Sequence, residues 1–145
     1  NGPRERRFTT ASGKAHFTVH PIPKHEYPSG HLLMMTIRSH DQYNTTIYGL
    51  EDRYRGISVE RRVVLMNKED MDQLQLLDRE VVNLLNSHNG RQREAKNFVV
   101  VTYDIPRGCC ATYFPEANVL VPIDQFARTS LTPASKSVVV QIQKT

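Results

Sequence analysis

No apolar run in this chain approaches the ~20 residues that cross a bilayer, so no membrane-spanning helix is expected. Cysteine is nearly missing: the only two, Cys109 and Cys110, are neighbours. A bridge between adjacent residues is strained, so two reduced thiols are expected, in keeping with a cytoplasmic setting. There is no cysteine set for an iron–sulfur cluster. His16, His20, His25 and His31 are loosely spaced and lack the cysteine partners of a closed zinc site, so no metal is expected on this chain. The chain opens on Asn1 without a charged-then-apolar leader and reads as a piece of a longer polypeptide. Asn44-Thr45-Thr46 fits the glycosylation rule, but three-residue matches are weak and nothing marks secretion.

What is present is an ordinary globular composition, 39% hydrophobic and 23% charged over 145 residues. A chain of this length builds one core, burying roughly two-thirds of its unfolded surface. The formal charge is +4, and 13 of the 19 basic residues are arginine. The planar guanidinium fork matches phosphate oxygens, and a positive field concentrates anionic ligands. Arg38 stands out, because it follows an apolar run directly and would sit at a strand end.

Residues 1–13 are polar and rich in Arg and Thr, as in an arm or interdomain linker, with a single domain expected over 14–145. Residues 15–20 alternate apolar and polar side chains, the period of a half-buried strand. The run 32–37 is expected to be the first central strand, and 38–56 a long polar loop of the kind that carries function. A second strand is expected at 62–66, followed by a helix capped by Asn67 with Met71, Leu74 and Leu77 on one face. The chain then offers a strand at 81–85, a turn with Asn89-Gly90 hairpin chemistry, a strand at 95–103, a turn at 106–108, and closing strands at 119–123 and 138–142. Many short strands with one convincing helix point to a mainly β barrel or sandwich, and strand count alone does not separate one small barrel from an OB-type one. No fixed-period repeat is visible.

Three separated segments carry a more specific signal: Phe8-Thr9-Thr10-Ala11-Ser12-Gly13-Lys14-Ala15, then Thr36-Ile37-Arg38-Ser39-His40-Asp41-Gln42-Tyr43-Asn44-Thr45, then 111–124 with Leu131-Thr132-Pro133-Ala134-Ser135-Lys136 and the run 137–142. In this order they resemble the C-terminal dinucleotide-binding domain of molybdopterin oxidoreductases, most closely formate dehydrogenase-like alpha subunits. The resemblance implies a double-psi β-barrel of the aspartate-decarboxylase-like type with one or two short helices. It implies a domain that holds molybdopterin guanine dinucleotide, in the bis form in the parent enzyme, with molybdenum or tungsten held outside this domain. Such a fragment is not catalytic alone. Its implied partners are the upstream domains of the same subunit and an electron-transfer protein, with no nucleic acid and no membrane.

By the same resemblance, the loop after the first strand contacts the cofactor, which nominates Arg38, Ser39, His40, Gln42, Asn44 and Thr45. The Asn-x-Leu match nominates Asn118, expected to be buried or half-buried, and the Pro-x-x-Lys match nominates Lys136. Ser135 stands where the family has a bulky residue before that lysine. Glu116 reads as a structural partner rather than an acid or base.

A second class of function competes with this one. Tyr43, Tyr48 and Tyr54 interleaved with Arg38, Arg53 and Arg55 would suit a barrel that stacks bases and tracks phosphates. A self-processing decarboxylase-like barrel would need a Gly-Ser pair, and the sequence has none.

Overall fold

A computed structural model describes residues 2–22, 24–43 and 47–145. After a one-turn helix α1 (Gly2–Glu5), the described residues up to 30 form no regular structure, and the described residues beyond them form six strands: β1 (His31–Ile37), β2 (Val63–Met66), β3 (Val81–His88), β4 (Arg91–Thr102), β5 (Cys109–Tyr113) and β6 (Val138–Lys144). A short helix α2 (Lys68–Gln73) sits between β2 and β3, and a single 3-10 turn spans Asn118–Leu120.

The strands close into a barrel in the order β1-β5-β2-β4-β3-β6. β1 runs parallel to β5 and β2 parallel to β4, while the other four pairs are antiparallel. Exchanging β1 with β4, β2 with β5 and β3 with β6 leaves this scheme unchanged. The barrel is therefore two interlocked three-strand halves related by a pseudo-two-fold axis, the double-psi arrangement. The symmetry resides in the pairing and leaves no repeat in the sequence. Closure gives every strand a neighbour on both sides, as an open sheet could not, except where the β3–β4 hairpin runs past β2 and β6.

Alternation along the strands sends one set of side chains inward: Leu32 and Met34, Val64 and Met66, Val82 and Leu84, Phe98 and Val100, Cys110, Val138 and Val140. In β4 the alternation slips at a bulge opposite Val82 and Leu84, where Asn97 takes a left-handed backbone (φ 60°) and its N–H bonds Asn83 Oδ1. The slip lets Ala95 and Phe98 both face the core. The outward residues Val63, Leu65, Val101, Ala111 and Tyr113 form a second apolar cluster, closed over by Ile57 from the long loop. β2 is consequently buried on both faces, which explains its uninterrupted Val-Val-Leu-Met.

Local signals account for much of this. Asn67 caps α2 by accepting from the Glu69 N–H, and Asn89-Gly90 turns the β3–β4 hairpin with φ of 49° and 72°. Three expectations need correction. Residues 15–20 form no strand: Phe17 and Val19 are fully exposed, and none of the barrel's strand pairings includes this segment. The segment at 119–123 is the end of the 3-10 turn and a bend, with Pro115 ahead of it and Pro122 within it, whose missing N–H groups suit a turn and not a ladder. In its place β5 begins at the two cysteines. In α2, Leu77 does not join Met71 and Leu74. The helix ends at Gln73, the chain reverses at Gln75 (φ 56°), and Leu76 takes the buried position.

Candidate functional site

β1 and β5 end side by side, and the Phe114 N–H donates to Ile37 O at 2.8 Å. The loop leaving β1 therefore starts against the turn leaving β5. The segment before β6 joins them, with the Thr36 N–H on Ser135 O at 2.9 Å and Lys136 Nζ on Thr36 O. Two of the three resemblance segments thus converge at one end of the barrel. The first does not: no hydrogen bond among the described residues ties 8–15 to the barrel.

Arg61, just before β2, is the hub of this end. Its side chain is 4% exposed, and its Nε donates to Glu116 Oε1 at 2.8 Å. Nη1 donates to Ser39 Oγ at 2.8 Å, while Nη2 reaches Gln42 Oε1 and Phe114 O, each at 2.9 Å. The Tyr48 and Tyr113 rings lie 3.7 and 4.6 Å from the guanidinium carbon. Tyr48 also donates its hydroxyl to Glu116 Oε1, so burial and the neighbouring carboxylate raise the phenol's pKa, against an opposing pull from Arg61.

A second buried charge secures the rest of the long loop. Asp52 Oδ2 accepts from Arg55 Nη1 at 2.6 Å and from the Tyr113 hydroxyl at 2.8 Å. Burial alone would raise the Asp52 pKa, but these donors outweigh it and hold the carboxyl below its ordinary value. Arg55 Nη1 also reaches Arg38 O at 3.2 Å. Between the two anchors opens a cleft of about 340 Å³ lined by Arg38, Ser39, His40, Tyr54, Arg55 and Tyr103. His40 packs edge-on against Tyr54 with ring centres 4.1 Å apart, and Arg53 lies over the same tyrosine at 5.3 Å. Among the described residues no side-chain hydrogen bond engages the Arg38 guanidinium. Burial and the Arg38 charge both lower the Lys136 pKa, a sign that the local field is positive. These donors and ring faces fit the phosphate and flat heterocycle of a nucleotide. The cleft's volume sits at the small end for ligand sites, enough for one portion of a dinucleotide.

The nominated residues divide clearly. Arg38 and His40 line the cleft; the Arg38 guanidinium is engaged by no side chain among the described residues, whereas His40 Nε2 lies 3.4 Å from Arg53 Nη2 and 3.6 Å from Asp41 Oδ1. Ser39 and Gln42 are buried, with their side chains bonded to Arg61 and, for Gln42, to Phe114 O at 2.9 Å. Asn44 and Thr45 lie outside the described residues. Asn118, expected to be at least half-buried, is exposed in the 3-10 turn next to Glu116 and does not line this cleft; the turn points its side chain outward. Lys136 reaches back to β1. Arg61, Asp52 and Tyr113 are not marked by any sequence pattern; of the Arg61-Arg62 pair ahead of the fully buried run 63–66, Arg62 is exposed and Arg61 buried, which adjacency to the run does not reveal.

A second cleft of about 320 Å³ lies at the opposite end of the barrel, lined in part by His31, Asp70, Gln73 and Arg107. Its cation is already matched, since Arg107 pairs with Glu69 at 3.1 Å and Asp70 at 3.5 Å.

A closed double-psi barrel with cationic, aromatic loops gathered at one strand end defines the class: a small cofactor-binding barrel. The chain belongs to the molydopterin dinucleotide binding domain family, whose model matches residues 32–139. It is 46% identical over 149 residues to an uncharacterized oxidoreductase of Mycobacterium tuberculosis, covering 99% of this chain and 19% of the relative. It is 38% identical over 150 residues to protein YdeP of Escherichia coli, covering 99% of this chain and 20% of that protein. The chain thus spans about one-fifth of the length of these relatives. The family match does not favour the nucleic-acid alternative. No helix among the described residues is long and apolar enough to cross a membrane.

Proposed function

We propose that the domain grips molybdopterin guanine dinucleotide, in the bis form, within a longer cytoplasmic molybdenum or tungsten oxidoreductase resembling formate dehydrogenase. The observation that carries this reading is the cleft at the end of β1, where Arg38 and His40 stand beside Tyr54 and Tyr103. When bound, the cofactor supplies the redox chemistry, and the chain contributes binding, orientation and electrostatics. Arg38 would hold a phosphate oxygen, His40 and Tyr54 would flank the flat ring system, and Lys136 would add positive charge. The similarity to a protein named as an oxidoreductase supports the redox setting. Upstream domains of the same subunit would cover the exposed apolar side chains Phe17, Val19, Ile22, Ile123 and Leu131, and an electron-transfer protein would complete the system.

The test is to isolate the intact subunit and measure its metal and pterin, then repeat this for Arg38→Ala and Asn118→Ala. A charge-assisted bond contributes about 1.5–3 kcal/mol, so Arg38→Ala should lower retained pterin roughly tenfold or more without unfolding the domain. Asn118 lies outside the cleft, exposed on the turn after β5, and would meet a further portion of the dinucleotide, so Asn118→Ala should lower retained pterin as well. Wild-type subunit devoid of pterin would overturn the function, and unchanged pterin in both variants would overturn the residue roles.

A further inference from the structure

Ser39 and Gln42 sit in the loop that resembles a cofactor cradle, yet both point their polar atoms at Arg61. Arg61 comes from a different part of the chain, just ahead of β2, and also grips Phe114 O and Glu116 on the turn beyond β5. One guanidinium therefore joins the loop after β1 to the turn after β5, the two stretches that converge at this end of the barrel. Tyr48, farther along the loop, packs on its face and shares its carboxylate partner. At 4% exposure Arg61 is not a ligand contact, and its bonding capacity is nearly used within the protein.

We propose that Arg61 is a positioning residue: it locks the loop after β1 onto the turn after β5, so that Arg38 and His40 meet the cofactor pre-aligned. The inference rests on the function proposed above. A buried ion pair is weak support for stability as such, because desolvation offsets most of the attraction, but it is well suited to selecting one geometry for the segments it joins. Only arginine does this here. Its fork reaches Ser39, Gln42 and the Glu116 carboxylate at once, in a plane that the flanking tyrosine faces fix. Pre-alignment retains a ligand by sparing it the cost of ordering the loop.

The experiment uses the full-length parent protein loaded with its own cofactor. Arg61→Met, Arg61→Lys and Glu116→Gln are compared with Leu84→Ala, a barrel-core change that touches none of the Arg61 hydrogen bonds and lowers stability by another route. Four quantities are read: melting temperature, nucleotide retained per subunit, its release rate on dilution, and hydrogen exchange of residues 38–43. Arg61→Met should release cofactor about tenfold faster, the cost of about one well-oriented charge-assisted bond, and should expose 38–43 to exchange. Arg61→Lys should recover only part of the loss, and Leu84→Ala should melt lower while releasing cofactor at the wild-type rate. If Arg61→Met does not fold, Glu116→Gln decides by the same readouts. Release that tracks melting temperature alone across the set would overturn the inference. A wild-type protein without pterin nucleotide would instead overturn the function on which it rests.

Discussion

The Arg61 guanidinium carbon lies 3.7 Å from the centre of the Tyr48 ring, and both side chains donate to the same oxygen of Glu116. Glu116 is 14% exposed, so removing it strands a cation that water barely reaches.

Breaking one side of a buried pair costs about 3–5 kcal/mol, whereas exposed pairs contribute under about 1. Glu116→Ala should therefore lower the unfolding free energy by about 3 kcal/mol. Glu116→Gln keeps the acceptor oxygen and should cost less. Urea titrations check both, with the slope unchanged if the effect lies in the folded state. A shift under about 1 kcal/mol for Glu116→Ala would show that the pair contributes little.

Asp52 sets an acid limit. Its folded pKa lies below the ordinary 3.8 because the Tyr113 and Arg55 donors outweigh burial. The sign follows directly: the unfolded chain binds the proton first, so this contribution is complete above pH 3.8 and lost as pH falls through the lower folded value. Stability measured from pH 7 down to pH 2 should fall more steeply below pH 4 for wild type than for Asp52→Asn. Parallel curves would remove Asp52 from the account.

The two thiols should differ in reactivity. Cys110 faces the barrel interior with no exposure, and burial drives its pKa well above the usual thiol value, whereas Cys109 is half-buried. An aromatic disulfide reagent should titrate one thiol in the native protein and two after denaturation. Two fast native thiols would contradict the inward facing of β5.

Asn67 combines two duties. Its Oδ1 caps α2 through the Glu69 N–H at 2.8 Å, and its Nδ2 donates to Ile105 O at 2.8 Å. Losing an N-cap costs about 0.5–2 kcal/mol, so Asn67→Ala should fall toward the upper end of that range, read by chemical denaturation. Asn67→Asp, which keeps the cap but not the second bond, should recover part of the loss.

Local patterning carried a good share of the fold. The apolar runs behind β1, β2 and β6, the Asn67 cap and the Asn89-Gly90 hairpin are each specified by neighbours within a few residues, and the structure has them all. Composition and the order of three segments were enough to bring the family into view. Patterning misled where the decision was nonlocal. Residues 15–20 alternate like a strand but pair with none, and β5 became a strand because β1 and β2 flank it on both sides.

The sequence by itself determined that this is a mainly β, arginine-rich domain of the molydopterin-binding family, because propensity, turn chemistry and motif order act over short stretches of chain. Only the tertiary structure decided which polar residues of the loop face the cleft and which serve Arg61. Contacts such as Arg61–Ser39 and Asp52–Tyr113 span 22 and 61 positions, so they exist only once barrel closure has brought those strand ends together.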